Sequence, residues 1–237
     1  MPSKNLEFSE WDSHLLNVNY YKLNNFSLDN FSFIKKEIVN LPNNSMVFTR
    51  IDSSKLNYIN ILVKNEFYIS DILTEFRFNT TKELIHESDW VVPIDKDSTY
   101  KIQCIKMIQN EFSIGRVHED ENLGIESGMR LYKEWVVNNF IEKFTIAYIK
   151  NNTVQGFLQY SFDDNSLRVI FIVTRSDYQN RGVGTALLNS VKNIACINNC
   201  SNIIVGTQLK NTNAANFYIK NFFNISKTLI GLNYYAI

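Results

Sequence analysis

The sequence predicts an α+β fold in which helices flank a mixed central sheet. The last third of the chain reads as elements in the order β-β-β-α-β-α-β-β, and the first third contains a strand, a helix and a strand in succession. Two helical segments with apolar residues about three apart lie between these regions. This order of elements is typical of an α+β arrangement around a mixed sheet.

Length and composition limit the functional classes. The chain has 237 residues, of which 45% are hydrophobic, so it is long enough for one large domain or two small ones with a well-formed core. Its formal net charge is zero, so we expect neither nucleic acid nor a membrane as a partner. Three cysteines without a CxxC pattern argue against a disulfide framework and zinc, and no metal is expected. Without a signal-like apolar segment at the start of the sequence, the expected compartment is the cytoplasm.

The first half of the sequence mixes short strands and helices. Residues 46–51 and 67–78 are predicted strands, and the helix between them, over 54–65, is expected to begin with a serine cap. Helices follow over 98–112 and 123–140, separated by the polar segment 113–122. We place a domain boundary in this loop, giving a smaller, reduced α/β domain over 1–118 and a second domain over 119–237.

The last third is the most regular part of the sequence. Strands over 144–150 and 155–162 are predicted to form a hairpin that turns at Asn151-Asn152. A strand over 167–173, a helix over 182–197, a strand over 202–207 and a helix over 212–221 follow. Two closing strands, over 223–230 and 233–237, are expected to complete the sheet.

The strongest local signal is the turn Gln179-Asn180-Arg181-Gly182-Val183-Gly184-Thr185, which follows a strand and opens a helix. Unpaired N–H groups and the positive end of the helix dipole favour an anion there, and two glycines allow it to approach closely. A pyrophosphate is the natural ligand, although a tight turn that only packs the helix is the alternative. Neither a Walker A motif nor a complete Rossmann fingerprint is present.

This turn resembles motif A of the GNAT acetyltransferase superfamily, Q/R-x-x-G-x-G/A, through Gln179, Gly182 and Gly184. Downstream, Asn211-x-x-Ala214-x-x-Phe217-Tyr218 resembles the N-x-x-A-x-x-L/F-Y helix of the same family. The resemblance implies a GNAT fold with a splayed sheet over about 124–237, and acetyl-CoA as the acetyl donor. Two family positions differ: Ser176 stands where proline is frequent, and Phe222 stands where glycine is usual, so the turn after the second motif is expected to differ in shape.

The resemblance also implies which residues contact the coenzyme. The strand before the turn would pair its backbone with the pantetheine arm, the turn would bind the pyrophosphate, and the downstream helix would lie near the thioester. The implied cofactor-binding residues are Ile172, Val173, Gln179, Asn180, Arg181, Gly182, Val183, Gly184, Thr185, Asn211, Ala214 and Phe217.

The expected chemistry is direct attack of a neutral amine on the acetyl thioester. Tyr218 is the candidate acid for the leaving thiolate, because a phenol is protonated at neutral pH; the alternative is an aromatic ring that only packs one helix face. Glu75 is the candidate base, since burial in its apolar strand could raise its pKa. A solvent-facing carboxylate on an edge strand is the simpler reading, and Asp71 and His118 are further candidates.

The acceptor is suggested by the start of the chain. Trp11-Asp12-Ser13 followed by Leu15-Leu16 resembles the W-D-S-x-F-F opening of the dTDP-fucosamine acetyltransferases, which implies a dTDP-linked amino-deoxy sugar used for surface polysaccharide synthesis. Arginines would bind the diphosphate and an aromatic surface, from Trp11 and Trp90, would bind the base. The predicted substrate-binding residues are Trp11, Arg77, Arg116 and His118. Solvated arginines and core tryptophans are the alternatives.

Two other functions stay open at this point. One keeps acetyl-CoA but uses another amine, such as a protein N-terminus, a polyamine or a small metabolite. The other is a coenzyme-A-binding sensor without turnover. The aromatic-rich closing strands could also pair across a homodimer.

Overall fold

The computed structural model describes residues 5–24, 26–111, 115–118 and 120–236. The strands it contains are β1 (Leu6–Phe8), β2 (Asn19–Leu23), β3 (Ser45–Asp52), β4 (Tyr68–Asn79), β5 (Val91–Ile94), β6 (Phe144–Lys150), β7 (Thr153–Asp163), β8 (Ser166–Thr174), β9 (Asn202–Gln208) and β10 (Asn224–Ala236). The α-helices are α1 (Glu10–Leu16), α2 (Phe31–Val39), α3 (Leu56–Lys64), α4 (Lys101–Glu111), α5 (Gly124–Glu142), α6 (Val183–Ile197) and α7 (Thr212–Lys220). The strands form a mixed sheet that the helices accompany, as the predicted α+β class requires.

The chain forms two compact units, and each draws on several segments. The first comprises Met1–Thr74, Ile114–Leu131 and Lys227–Ile237, and the second comprises Glu75–Ser113 and Tyr132–Ser226. Strands β4 and β10 and helix α5 each contribute residues to both units. The boundary after residue 118 is not tested by this partition and stays a prediction.

The first unit contains strands in the order β1-β2-β3-β10-β4. β2 and β3 are parallel and connected through α2, whereas β3 and β10 are antiparallel. Alternating residues of β3 point inward, and Val47 and Ile51 pack with apolar residues of α2 and α3, among them Ile34 and Leu62. The period-two pattern of β3 therefore places one face of the strand in the core.

The second unit contains the order β4-β9-β8-β7-β6-β5, in which β8 and β9 are parallel, whereas β5–β6, β6–β7 and β7–β8 are antiparallel pairs. The β6–β7 hairpin turns at Asn151 and Asn152, whose φ values of 52° and 57° confirm the predicted turn. Helix α6 packs Val183, Leu187 and Val191 against the sheet, as its apolar spacing predicts.

Two predictions of local structure are wrong. The two closing strands are one continuous strand, β10, because Gly231 is a strand residue and not a break. A Cβ at Gly231 would lie 1.7 Å from Oδ1 of Asp71, so glycine is needed there for the buried carboxylate. The serine cap of α3 is also absent: Lys55 is the residue before the helix, and the Ser54 hydroxyl donates to Asp52 at 2.7 Å.

No helix in the described ranges is long and apolar enough to cross a membrane. The same ranges contain no group of three or more histidine, cysteine, aspartate or glutamate side chains that could hold a metal ion.

Candidate active site

Strands β8 and β9 separate partway along their length. Their parallel pairing ends at Val169 and Val205, although β8 continues to Thr174 and β9 to Gln208. The separation follows a bulge, because β7 pairs Gln159 with Phe171 and Tyr160 with Val169, which leaves Ile170 as the extra residue. A bulge bends its strand and increases the local twist. An opening between the two strands results, next to the predicted pantetheine-binding residues.

The bulge also sets the direction of the side chains in the opening. After it, Phe171 lies 6.4 Å from Tyr132 of α5, measured between ring centroids, whereas Ile172 packs against the core that contains α6. Val173 is buried. The second half of β8 is thus held by side chains on both faces, while its edge towards β9 has no β9 partner in the described residues.

The turn at the start of α6 has the features of an anion site. Asn180 and Gly182 adopt left-handed conformations, with φ of 59° and 83°. The first intrahelical bond runs from Ala186 N to Gly182 O at 2.9 Å, so the three preceding amides of the helix have no intrahelical acceptor. No side chain of the described residues caps this end. A Cβ at Gly182 would meet no atom within 4 Å, so the turn faces open space.

The other predicted residues of this turn lie around it. Gln179, Asn180, Arg181, Gly182 and Thr185 are exposed, and the side-chain amide of Gln179 donates to Thr174 O at 3.3 Å. The Arg181 guanidinium lies 5.7 Å from the ring centre of Tyr178 and forms no ion pair within the part of the chain described. Backbone donors and one unpaired cation therefore lie together at the start of α6, and this donor set fits a pyrophosphate.

The two sequence motifs are brought into contact. A Cβ at Gly184 would lie 3.0 Å from Cζ of Phe217, so helix α7 approaches α6 closely at this point. Asn211 precedes α7, and its Oδ1 accepts a hydrogen bond from Ala214 N at 3.1 Å. The side-chain amide oxygen of Asn211 therefore caps α7. Ala214 and Phe217 are half-buried against the core of the second unit.

Tyr218 lies at the centre of an aromatic group. Its ring is 5.3 Å from Phe76 and 6.0 Å from Phe223, and it is 3% exposed. Burial raises the pKa of the Tyr218 phenol well above its ordinary value, so the phenol is neutral throughout the physiological range. No hydrogen bond to its hydroxyl is found among the described residues. The Tyr218 ring thus packs in the core, as the alternative of a purely packing aromatic expects. Its hydroxyl is also available as a proton donor.

Glu75 is buried in β4 and pairs with a guanidinium. Its Oε1 lies 3.1 Å from Nη1 of Arg168 on β8, and its backbone carbonyl accepts from the Ser226 hydroxyl. Because neighbouring strand residues point to opposite faces, Glu75 faces away from the side on which Phe76 meets Tyr218. The alternative interpretation of Glu75, a solvent-facing carboxylate on an edge strand, is therefore wrong.

The four predicted acceptor residues are distributed over both units. Arg77 belongs to the second unit and is exposed. Trp11, on α1 in the first unit, is 38% exposed. His118 is buried in the first unit, with its ring against Gly128 of α5. Arg116, also in the first unit, lies over Phe48 with its guanidinium carbon 4.2 Å from the ring centre.

Sequence reasoning missed the partners of Arg116. The Nη1 atom of Arg116 donates to the Tyr20 hydroxyl at 2.6 Å. The guanidinium carbon of Arg50 lies 5.3 Å from the centre of the Phe48 ring, which Arg116 also contacts. Arg50 also forms an ion pair with Asp71, one of the other candidate bases. The spacing of Phe48 and Arg50, two apart in a strand, was the available signal, because such residues share one face.

Comparisons with known proteins agree with this geometry. Residues 108–222 match the family model described as the acetyltransferase (GNAT) family. A comparison with curated protein sequences gives no match.

Among solved structures, a functionally unknown conserved protein from Staphylococcus epidermidis has a TM-score of 0.66 at 14% identity, covering 100% of this chain and 93% of the other. A GCN5-related N-acetyltransferase from Sphaerobacter thermophilus has a TM-score of 0.60 at 8% identity, covering 96% and 74%. The PaiA N-acetyltransferase from Thermoplasma acidophilum, in complex with coenzyme A, has a TM-score of 0.51 at 15% identity, covering 60% and 96%. At these identities the likeness concerns the fold, and it confirms the predicted GNAT architecture. The chain therefore has the GNAT fold, and its residues 108–222 are similar to the GNAT family of acetyl-CoA-dependent N-acetyltransferases.

Proposed function

We propose that this protein transfers an acetyl group to the amino group of a nucleotide-linked amino-deoxy sugar, with dTDP as the expected nucleotide. The single observation that carries the donor half is the uncapped start of α6 beside the opening between β8 and β9. Acetyl-CoA supplies the activated acetyl thioester when bound. The amides of Val183, Gly184 and Thr185 and the cation of Arg181 would hold its pyrophosphate, and the free edge of β8 would hold its pantetheine arm.

Tyr218 acts in this proposal as the proton donor to the leaving sulfur. Its hydroxyl has no partner among the described residues, so it is available to donate. The aromatic group around it fixes the ring, which removes the cost of ordering the side chain during reaction. The raised pKa keeps the proton on the phenol until a thiolate develops nearby.

Glu75 acts as the acceptor of the amine proton. Burial places its carboxylate away from bulk water, and the Arg168 ion pair fixes its position. A base must lie within hydrogen-bond reach of the proton that it takes, so orientation matters as much as proton affinity. Replacement of Glu75 by Gln keeps the shape and removes the proton acceptor.

The first unit contains a group of arginine and aromatic side chains. Arg50 and Arg116 flank the Phe48 ring, and Arg116 also contacts Tyr20. Guanidinium groups bind phosphate through charge-assisted hydrogen bonds, and aromatic rings stack on nucleobases. This group of side chains therefore has the chemistry that a nucleoside diphosphate requires. A polyamine would instead favour carboxylates.

The test is release of free coenzyme A thiol with acetyl-CoA and a panel of acceptors. TDP- and UDP-linked amino sugars, polyamines and amino-terminal peptides would be compared, followed by Arg116→Ala with the best acceptor. We expect a TDP-amino sugar to react fastest and Arg116→Ala to raise its KM. Faster turnover of a polyamine or peptide would show that this amine, and not the nucleotide sugar, is the acceptor. Binding of acetyl-CoA without thiol release in any reaction would favour a sensor.

The assigned turn is tested by binding of acetyl-CoA to Gly182→Val. Valine is strained at φ 83° and its methyl groups would fill the space in which the pyrophosphate is proposed to lie. Gly124→Val is the matched control, since Gly124 also has positive φ, at 75°, and no atom within 4 Å of a Cβ. Both variants should lose similar stability, but only Gly182→Val should weaken the Kd. Equal affinities in the two variants would refute the assignment.

A further inference from the structure

Helix α5 and strand β8 form an aromatic group in the second unit, made of Tyr132, Trp135 and Phe171. The ring centroids of Tyr132 and Trp135 are 5.3 Å apart, and that of Phe171 lies 6.4 Å from the first and 6.5 Å from the second. Tyr132 and Phe171 are each 6% exposed, whereas Trp135 is only half-buried. Trp135 is therefore the member of this aromatic group that a ligand can contact.

The bulge in β8 places the aromatic group on the same face of the sheet as the candidate base. Residues three apart in a regular strand point to opposite faces, but the extra residue of the bulge brings Phe171 to the face of Arg168. Their partners on β7 are Ser161 and Gln159, which are two apart and therefore share one face. The Arg168 guanidinium pairs with Glu75 at 3.1 Å. The carboxylate proposed to accept the amine proton thus lies on the face that carries the aromatic group.

A buried amide holds α5 against this face. Gln159 is fully buried; its Nε2 donates to Val136 O at 3.2 Å, and its Oε1 accepts from Nδ2 of Asn139 at 3.1 Å. Val136 is the residue after Trp135, so the amide bonds fix the backbone beside the tryptophan. Tyr132 packs edge-on against the Trp135 ring, at an interplanar angle of 89°. The aromatic group is therefore preformed, and binding to it costs little ordering of side chains.

The chemistry of this surface suits the apolar part of an acceptor that carries an amine. The aromatic rings offer uncharged contact area, and the Glu75 carboxylate on the same face is paired with Arg168. A polyamine would have to compete with the Arg168 guanidinium for that carboxylate. A deoxy sugar instead presents C–H groups, which lose contact with water when they pack on an aromatic ring. An apolar wall with a few fixed polar groups is the usual composition of a small-molecule site.

We infer that Trp135 is a specificity-determining residue, which selects a deoxy form of the amino sugar by packing on its apolar carbon. This inference rests on the proposed function, because an amine within hydrogen-bond reach of Glu75 brings the sugar ring that carries it to the same face. Replacement of the apolar group by a hydroxyl would put a polar atom against the aromatic ring without a partner. Discrimination by an apolar pocket at this level is about 10- to 100-fold in kcat/KM.

The test compares the 6-deoxy and 6-hydroxy forms of one TDP-linked amino sugar by release of coenzyme A thiol. The parent protein should prefer the deoxy form by about 10- to 100-fold in kcat/KM. Trp135→Ala should reduce this preference below about threefold, chiefly through a higher KM for the deoxy form, and leave the acetyl-CoA Kd unchanged. Trp135→Phe, which keeps an aromatic ring, should retain most of the preference.

Phe162→Ala is the matched control for loss of an aromatic ring. Phe162 is 39% exposed and pairs with Leu167 of the α6-side core, so it lies on the other face of the sheet. This variant should keep the preference of the parent protein. A loss of the preference in Phe162→Ala equal to that in Trp135→Ala would show a general effect on the fold and would overturn the inference.

The outcomes separate this inference from the proposed function. The parent preference in Trp135→Ala, or equal turnover of the two sugars by the parent protein, would overturn the role of Trp135 and leave the function standing. Loss of acetyl-CoA affinity together with the preference would indicate a role in the fold only, which also overturns the inference. Thiol release with a polyamine or peptide and with neither sugar would refute the proposed acceptor itself.

Discussion

Phe222 occupies a backbone conformation that favours glycine. Its φ is 68°, in the turn after α7 where the family resemblance places glycine, and its side chain is 77% exposed. The turn thus has the left-handed geometry that glycine adopts without strain, and the expectation that its shape differs from the family's stays a prediction. A left-handed conformation costs a non-glycine residue about 1–2 kcal/mol, and the larger unfolded-state entropy of glycine offsets about 0.5–1 kcal/mol of this.

Comparison of Phe222→Gly with Phe222→Ala isolates this strain, because both variants lose the ring and only alanine keeps a Cβ. Glycine should be the more stable by about 0.5–1 kcal/mol, which corresponds to about 1–4 °C in the thermal midpoint. The assay is differential scanning calorimetry, with a parallel urea titration.

The matched control is Asn216, an exposed residue in the middle of α7. There the order should reverse, with Asn216→Ala more stable than Asn216→Gly by about 1 kcal/mol. The reasoning fails if alanine is the better residue at both positions, since position 222 would then carry no conformational strain.

Three further predictions concern the proposed acid and the two cores. Tyr218→Phe should lower kcat by about 10²-fold or more and leave the acetyl-CoA Kd within about twofold; unchanged turnover removes Tyr218 as the acid. Gly231→Ala should cost about 3 kcal/mol in urea unfolding, because its methyl group displaces the buried Asp71 carboxylate, whereas in an Asp71→Ala background the cost should fall below about 1 kcal/mol. Equal costs in both backgrounds would disprove that contact. Burial raises the pKa of the Cys104 thiol to about 12, so the thiol is neutral at pH 8 and should resist a thiol reagent in the native protein, while half-buried Cys196 reacts; labelling of Cys104 as fast as in denaturant would contradict this.

Local features of the second unit were readable in the sequence. The turn at Asn151 and Asn152, the apolar face of α6 and the glycines at its start depend on neighbouring residues, which interact in the same way in any structure that contains the segment. The same holds for the Asn211 cap of α7. The local backbone features on which the proposed donor site depends could therefore be predicted from the sequence, and the roles of its residues stay predictions.

Contacts between distant parts of the chain could not be predicted in this way. From the sequence alone, Gly231 is interpreted as a break between two strands. The structure shows another reason for glycine, because a Cβ at this position would collide with the Asp71 carboxylate of a different strand. The pairing of Glu75 with Arg168 and the stacking of Arg116 on Phe48 also join residues far apart in sequence. The spacing of residues in the sequence does not reveal which distant residues come into contact.

The sequence alone determined the family resemblance, the order of elements in the last third and the chemistry expected of the α6 turn. The tertiary structure decided where the sheet opens, since the bulge at Ile170 ends the pairing of β8 with β9, and bulges depend on the register of two strands. It also decided that β10 is one strand and that Phe171 shares a sheet face with Arg168. These properties arise from packing between elements, which periodicity and motif spacing do not encode.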